Sequence, residues 1–233
     1  GEKYHTISFQ DRTYSVKSFR TIPQESLEDI LGTCEASGFD SYTNQNYSET
    51  LEIRKLNGIS EEKMIAAGNA NGFHVYQLDD TSKPETFGEL LALYSLAENL
   101  EFSSFTQYEG YKENGHFTLN DDAYLWQILS DCRDAKPDNT AESFDRSERN
   151  YLSFTATSDA LGVYKRVVYI SEDGYFATNI FNSSYIYFIG EDAAGKIIRY
   201  AENNSTEAEF SPYAFTIAGT LTEIGDNYVL IDD

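Results

Sequence analysis

Two cysteines and three histidines are the residues of this 233-residue chain best suited to nucleophilic or metal chemistry. Cys34 and Cys132 do not form a C-x-x-C pair, and no histidine lies at metal-ligand spacing from them. His5, His74 and His116 are far apart in the sequence, and none belongs to an H-E-x-x-H motif. His74 alternates with apolar neighbours and is expected to be an exposed strand histidine. We therefore predict no metal-binding residue and no cofactor.

The tetrapeptide Ser60-Glu61-Glu62-Lys63 matches the S-x-x-K pattern of penicillin-recognising serine enzymes. In those enzymes the serine and the lysine lie one turn apart on a helix, whereas here the tetrapeptide leads into a predicted strand. Neither S-D-N nor K-T-G follows, and the G-x-S-x-G and phosphate-loop motifs do not occur. The sequence therefore predicts no catalytic residue, and we expect the chain not to be an enzyme.

The charge balance restricts the partners of this chain. There are 39 acidic and 17 basic residues, which gives a net charge of −22. Such a field repels nucleic acid and anionic lipid, so we expect no nucleic-acid partner. The acidity suits either a cationic partner or simple solubility outside the cell. No apolar run approaches the roughly 18 residues of a membrane span.

The sequence opens on Gly1 without an initiator Met. We therefore expect that a leader or a native membrane anchor has been trimmed away.

Two segments share one apolar spacing and predict matching helices. Leu27–Cys34 and Leu125–Cys132 both place apolar residues at positions i, i+3, i+4 and i+7, which is one face of a helix. Ser26 precedes the first segment, and Asp121 and Asp122 precede the second, in positions that suit N-caps. The repeated spacing indicates an internal duplication.

The similarity between the halves continues beyond these segments. Strands are expected at 50–54 and 151–155, hairpin tips at Asn71-Gly72 and Asp173-Gly174, helices at 85–94 and 191–200, and strands at 100–106 and 209–216. The predicted fold class is therefore α+β, with two tandem diverged copies of a unit that runs helix, three antiparallel strands, helix, strand. Residues 1–112 form copy one and residues 113–233 form copy two. The seam falls at 109–115, and 144–150 is a loop within copy two.

The duplication suggests roles for the cysteines and aromatic residues. Cys34 and Cys132 would be buried small hydrophobes at equivalent positions, with a disulfide between the copies as the alternative. Strand aromatics such as Tyr185, Tyr187 and Phe188 are typical of a core or of cross-strand pairs, and an exposed platform for sugars or peptides is the alternative.

Several segments resemble uncharacterised extracytoplasmic regions of Gram-positive, largely clostridial, proteins. These regions belong to antirepressor-type membrane metallopeptidases related to β-lactam sensors, and to lipoproteins. The segments that carry the resemblance are 56–61, 72–76, 85–90, 99–104, 171–180 and 187–191. The resemblance implies an extracytoplasmic sensory or accessory domain and assigns no functional residue, since the peptidase motif H-E-x-x-H does not occur here.

We therefore expect a non-enzymatic extracytoplasmic sensory or binding domain of a membrane-anchored protein. It would bind a protein, a peptide or a cell-wall component at a surface formed where the two copies meet. One alternative is a cell-wall polysaccharide hydrolase that uses a carboxylate pair, with the two carboxyls about 5–9.5 Å apart. The other is a solute-binding lipoprotein with a mostly apolar pocket.

Overall fold

The computed structural model describes residues 4–18, 20–40, 42–79, 82–138, 144–181, 183–208, 220–224 and 229–232. Strands account for about half of the structure, roughly twice their usual share of a globular domain. They form a six-stranded sheet, a seven-stranded sheet and a separate two-stranded hairpin. The predicted α+β class, with two copies of a helix–strand unit, is therefore wrong, because the protein is mostly β.

The six-stranded sheet comprises β1 (Thr6–Phe9), β2 (Arg12–Val16), β3 (Leu27–Asp40), β4 (Gln45–Leu56), β5 (Met64–Asn69) and β6 (Gly72–Leu78). Its antiparallel order is β1-β2-β6-β5-β4-β3. The edge strands β1 and β3 contact each other, and the ring of Phe9 lies against Gly32. The sheet thus curls into a nearly closed barrel.

The seven-stranded sheet comprises β7 (Glu101–Glu109), β8 (Lys112–Leu119), β9 (Asn150–Ser158), β10 (Val163–Ser171), β11 (Tyr175–Phe181), β12 (Ser183–Phe188) and β13 (Ser205–Glu207). Its antiparallel order is β12-β11-β10-β9-β7-β8-β13. The helices are α1 (Phe87–Tyr94), α2 (Leu96–Asn99), α3 (Ala123–Asp131) and α4 (Glu191–Asn203), and β14 (Thr220–Ile224) pairs with β15 (Val229–Asp232). The helices lie along the apolar face of this sheet and share its core.

The helix predicted over Leu27–Cys34 is wrong, because this segment forms the first half of β3. The pairing of β3 with β4 shifts register twice, between Leu27 and Ile30 and between Ile30 and Gly32. These bulges break the two-residue alternation of a strand, so the apolar residues acquire a spacing that imitates a helix. Glycine also weakens a helix, and the long ladder with β4 supplies the hydrogen bonds instead.

The matching segment Leu125–Cys132 does lie in a helix, since α3 covers residues 123–131 and Cys132 caps it. One apolar spacing therefore corresponds to a strand in the first half and a helix in the second. Asp122 is the N-cap residue of α3, but its Oδ2 accepts from the Phe102 N–H at 2.8 Å and from the Trp126 indole at 3.1 Å. It ties α3 to β7 rather than capping the helix.

The hairpins, and most of the helices and strands predicted from short sequence patterns, are confirmed. The hairpin tips at Asn71-Gly72 and Asp173-Gly174 are confirmed by the β5–β6 and β10–β11 hairpins. The helices predicted at 85–94 and 191–200 are confirmed as α1 and α4, the strands at 50–54, 100–106 and 151–155 are confirmed, and 144–149 is a loop.

The expected seam at 109–115 is instead the β7–β8 turn, and the boundary between 112 and 113 falls inside β8. The strand expected at 209–216 lies outside the described residues.

Two apolar cores hold the fold together. The larger core lies between the outer wall of the barrel, the seven-stranded sheet and the helices. Phe87 of α1 is completely buried there, with its ring centroid 4.8 Å from that of Phe176 and 5.3 Å from that of Tyr187. The smaller core fills the barrel and includes Tyr4, Tyr14, Cys34, Leu51, Ile53, Ile65, Ala67 and Tyr76.

Candidate functional site

A cavity of about 460 Å³ opens at one end of the barrel. Its volume falls in the range of small-molecule sites, which are often found in the mouths of β-barrels. The cavity has an apolar floor, formed by Tyr4, Leu51, Ala67 and Tyr76, and a polar rim, formed by Thr21, Ser48, Glu49, Asn69 and His74. Both parts come from the first third of the chain.

Strand alternation explains why these side chains share one cavity. Residues two apart on a strand point to the same face, so Glu49 lies beside Leu51 on β4, Asn69 beside Ala67 on β5, and His74 beside Tyr76 on β6. Leu51, Ala67 and Tyr76 belong to the barrel core. On each strand, the residue two positions closer to the open end of the barrel also faces the barrel axis. The apolar core ends at this level, and the residues there are polar: Glu49, Asn69 and His74.

Both polar atoms of the Asn69 side chain are hydrogen-bonded to neighbours. Its Nδ2 donates a hydrogen bond to Oε1 of Glu49, and its Oδ1 accepts from the Asn71 N–H at 2.8 Å. A carboxylate oxygen can accept more than one hydrogen bond. Glu49 thus keeps Oε2 as an acceptor for a ligand, while its position is held by the amide of the adjacent strand.

The ring of His74 is oriented by the backbone. Its Nδ1 lies 3.0 Å from the carbonyl oxygen of Arg20. A carbonyl oxygen only accepts hydrogen bonds, so Nδ1 carries the proton and donates it. In the neutral ring the other nitrogen, Nε2, is then an acceptor. The neutral His74 ring would therefore present an acceptor to a ligand rather than a second donor.

The floor is closed by a buried tyrosine. The Tyr76 hydroxyl donates a hydrogen bond of 2.7 Å to the carbonyl oxygen of Tyr4, and the side chain is 2% exposed. Burial, followed by the nearby Cys34 and Tyr4, raises the pKa of Tyr76 to about 12. The ring centroid of Tyr4 lies 5.6 Å from that of Tyr47. Tyr4, at the apolar floor of the cavity, is therefore packed against a second aromatic ring.

Replacing Tyr76 with phenylalanine should lower the free energy of unfolding by about 0.5–1.5 kcal/mol at pH 8, because the Tyr4 carbonyl loses its donor. The raised pKa means that the folded state favours the protonated hydroxyl. This stabilisation is complete below the unfolded pKa near 10 and is lost as the pH rises towards 12. The difference between the two proteins should therefore shrink from pH 10 upward in urea unfolding. Tyr111→Phe, at an exposed position, is the control; a pH-independent difference would contradict the assignment.

The structure separates the two cysteines. Cys34 is buried in the barrel core, as predicted, whereas Cys132 is half-buried against the larger core. Both are free thiols, so the alternative of a disulfide between them is wrong. Burial raises the pKa of each thiol, with Glu35 adding to the effect at Cys34 and Asp131 at Cys132. Neither is an activated nucleophile.

The histidines also lie apart. His116 places Nδ1 3.0 Å from the Thr106 hydroxyl in the seven-stranded sheet. His74 lies on a strand, β6, as predicted, but it is half-buried in the cavity lining rather than exposed. Its alternation with Phe73 and Val75 did indicate that it points away from the larger core. The sequence carries no signal that the opposite face closes into a barrel.

The S-x-x-K tetrapeptide does not adopt the helical arrangement found in the serine enzymes. Ser60–Lys63 forms the turn between β4 and β5 rather than a helix, and Lys63 Nζ donates to the Ser82 hydroxyl at 3.0 Å. Within the described ranges, no group of three or more His, Cys, Asp or Glu residues is arranged to hold a metal ion. In the same part of the chain, no helix has the length and apolarity that a membrane span requires.

Comparisons with protein-family models, with curated proteins and with solved structures find no match to this chain. The resemblance to extracytoplasmic regions of clostridial membrane proteins thus stays a prediction, and function must be argued from the barrel cavity itself.

Proposed function

We propose that this chain is a non-enzymatic binding module that holds a small ammonium-bearing molecule in the mouth of the barrel. The observation that carries the proposal is the hydrogen-bond arrangement of the rim. One N–H of the Asn69 amide is directed to Glu49 and the Nδ1–H of His74 to a backbone carbonyl, while Glu49 Oε2 and Nε2 of the neutral His74 ring can accept from a ligand. A carboxylate and an imidazole acceptor side by side favour a ligand that brings several donors.

Charge and aromatic surface favour the same ligand. The side chain of Glu49 can offer a charge-assisted hydrogen bond to an ammonium group. Tyrosine faces attract cations through their ring quadrupole, and Tyr4 and Tyr76 form part of the floor. The net charge of −22 draws cations towards the whole surface. The ligand would place its ammonium group at the rim and its apolar part over the floor.

The two alternative functions fit this cavity less well. A retaining or inverting glycosidase requires two carboxyl groups across the scissile bond, and among the described residues that line the cavity Glu49 is the one carboxylate. A pocket for an apolar solute would lack the charged rim. The proposal keeps the predicted extracytoplasmic setting, since the acidity suits it. It does not keep the predicted groove between two copies, because the two predicted copies do not form.

Isothermal titration calorimetry with matched ligand pairs tests the proposal. Phenethylamine and 2-phenylethanol differ in an ammonium against a hydroxyl group, as do glucosamine and glucose. We expect at least one amine to bind about tenfold or more tightly than its neutral partner, which corresponds to one charged hydrogen bond. Equal affinity within both pairs, or no binding of either amine at 10 mM, would contradict the proposal.

A further inference from the structure

A smaller cavity, of about 160 Å³, opens on the face of the seven-stranded sheet that turns away from the helices. It lies between the loop 144–149 and strands β10, β11 and β12, and is here called the arginine cavity. Its lining combines apolar side chains, which include Phe144, Tyr169 and Ile186, with polar ones, which include Arg146, Asn179 and Ser184.

Strand alternation places this lining on the outer face of the sheet. Val168 and Ile170 belong to the larger core, and so does Tyr187. Tyr169 lies between the first two on β10, and Ile186 precedes the third on β12. Both therefore point to the opposite face, away from the helices.

The loop 144–149 is tied to the sheet on both sides of Arg146. The ring of Phe144 stacks on that of Tyr169, with the centroids 5.5 Å apart and the planes 19° apart. The carbonyl oxygen of Arg149 accepts from the Gly110 N–H at 2.8 Å, in the turn between β7 and β8. Arg146 therefore extends from a segment whose two ends are anchored.

The guanidinium group of Arg146 contacts tyrosines rather than a carboxylate. Its Nη1 donates to the Tyr169 hydroxyl at 3.2 Å, and Tyr151 is a further hydrogen-bond partner. The guanidinium carbon lies 5.4 Å from the ring centroid of Tyr169 and 5.9 Å from that of Tyr111. Among the residues that the structure describes, no carboxylate forms an ion pair with Arg146. Since a guanidinium carries five N–H donors, two tyrosine hydroxyls do not use them all.

Two further polar groups of the lining come from the strands. Asn179 is exposed and Ser184 is half-buried, and neither side chain makes a hydrogen bond to another residue in the described part of the chain. An amide and a hydroxyl can both donate. Together with Arg146 they give the cavity donors from three chain segments and one positive charge, which favours a ligand with acceptors and a negative charge.

We propose that the arginine cavity binds a small carboxylate with an apolar body. A carboxylate matches the planar fork of a guanidinium group and can accept two parallel hydrogen bonds from it. The side chains of Phe144, Tyr169 and Ile186 would contact the apolar body. The volume is below the roughly 300–1,000 Å³ of sites for drug-sized ligands, so the ligand is about the size of a single ring. A phosphate ion would leave the apolar part of the lining without a partner.

Isothermal titration calorimetry with benzoate and benzamide tests this site. The two molecules have nearly the same size and differ in a carboxylate against a neutral amide. We expect benzoate to bind about tenfold or more tightly, since it alone forms charged hydrogen bonds. Equal affinity for the two molecules, or no binding of benzoate at about 10 mM, would overturn the proposal. Tighter binding of inorganic phosphate than of benzoate would overturn the choice of a carboxylate with an apolar body.

Arg146→Gln tests the role of the guanidinium group. Glutamine keeps an N–H donor but not the charge, so benzoate should bind about tenfold or more weakly and benzamide as to the wild type. Arg199→Gln is the matched control, because Arg199 is exposed on α4 at the other side of the sheet. It should leave benzoate affinity within about twofold of the wild type. An equal loss in both variants would show an effect of overall charge and overturn the site.

A second variant tests the location without changing any charge. Ser184→Leu enlarges a half-buried side chain of the cavity lining, so the protein should stay folded while benzoate loses about tenfold in affinity. Wild-type affinity for benzoate in Ser184→Leu would overturn the proposed location. Glu49→Gln should leave benzoate binding unchanged, because Glu49 lines the barrel cavity and not this one.

Discussion

Replacing Glu49 with glutamine should weaken the binding of phenethylamine by about 10- to 100-fold. A hydrogen bond to a charged group contributes about 1.5–3 kcal/mol, and each 1.4 kcal/mol is a tenfold change in affinity. Glutamine has nearly the same size and keeps a carbonyl oxygen for the Asn69 amide. The cavity should therefore retain its shape and lose only the negative charge, and 2-phenylethanol should bind both proteins equally.

Glu52→Gln is the matched control for this change. Glu52 lies on the same strand, β4, but does not line the cavity, and its carboxylate lies 3.1 Å from Nε of Arg54. The substitution changes the net charge by the same amount. It should leave amine affinity within about twofold of the wild type, because residues 49 and 52 point to opposite faces of β4 and the Glu52 carboxylate is paired with Arg54. If both variants lose affinity alike, the attraction is a property of the whole acidic surface and the assigned role of Glu49 is wrong.

Replacing Phe87 with alanine should lower the free energy of unfolding by about 3–5 kcal/mol. Truncating a fully buried phenylalanine removes its transfer free energy and leaves a cavity. Phe87 is 0% exposed, and its edge-to-face contacts with Phe176 and Tyr187 add about 0.5–1.5 kcal/mol each. Phe87 joins α1 to β11 and β12 through these contacts. Urea unfolding followed by circular dichroism measures the change.

Phe188→Ala is the control, since Phe188 is 50% exposed and should cost about 1 kcal/mol or less. A cost below about 1 kcal/mol for Phe87→Ala would contradict the assigned position of α1 in the larger core. The amine site lies in the barrel core rather than the larger one. The folded Phe87→Ala protein should therefore bind phenethylamine as the wild type does, which separates stability from binding.

Elements with strong local signals were predictable from the sequence. Asn71-Gly72 and Asp173-Gly174 tolerate the positive φ that a tight hairpin requires, and both hairpins form. The helices α1 and α4 combine apolar spacing with suitable starts: the Thr86 hydroxyl accepts from the Glu89 N–H at 3.0 Å, and α4 opens with two acidic residues. In these segments the neighbours along the chain supply the decisive interactions.

The segment Leu27–Cys34 shows where local patterns fail. Its apolar spacing matches that of Leu125–Cys132, and only the second segment is helical. The first pairs with β4 over a long antiparallel ladder with two bulges. That ladder joins residues far apart in the chain, and a pattern read within eight residues contains no information about it. The predicted duplication took these two segments as its first matching pair, and that pair fails because one segment is a strand and the other a helix.

By itself, the sequence determined the acidity, the hairpin tips, three of the helices and the alternation that turns His74 away from Phe73 and Val75. These properties depend on residue type and on neighbours a few positions away. Only the tertiary structure decided that the opposite face closes into a barrel. Closure requires contact between the edge strands β1 and β3, and it brings Glu49, Asn69 and His74 from three strands into one cavity with Tyr4. Closure depends on the pairing of β2 with β6 and on the contact of β1 with β3, which join segments far apart in the chain, so no local residue spacing predicts it.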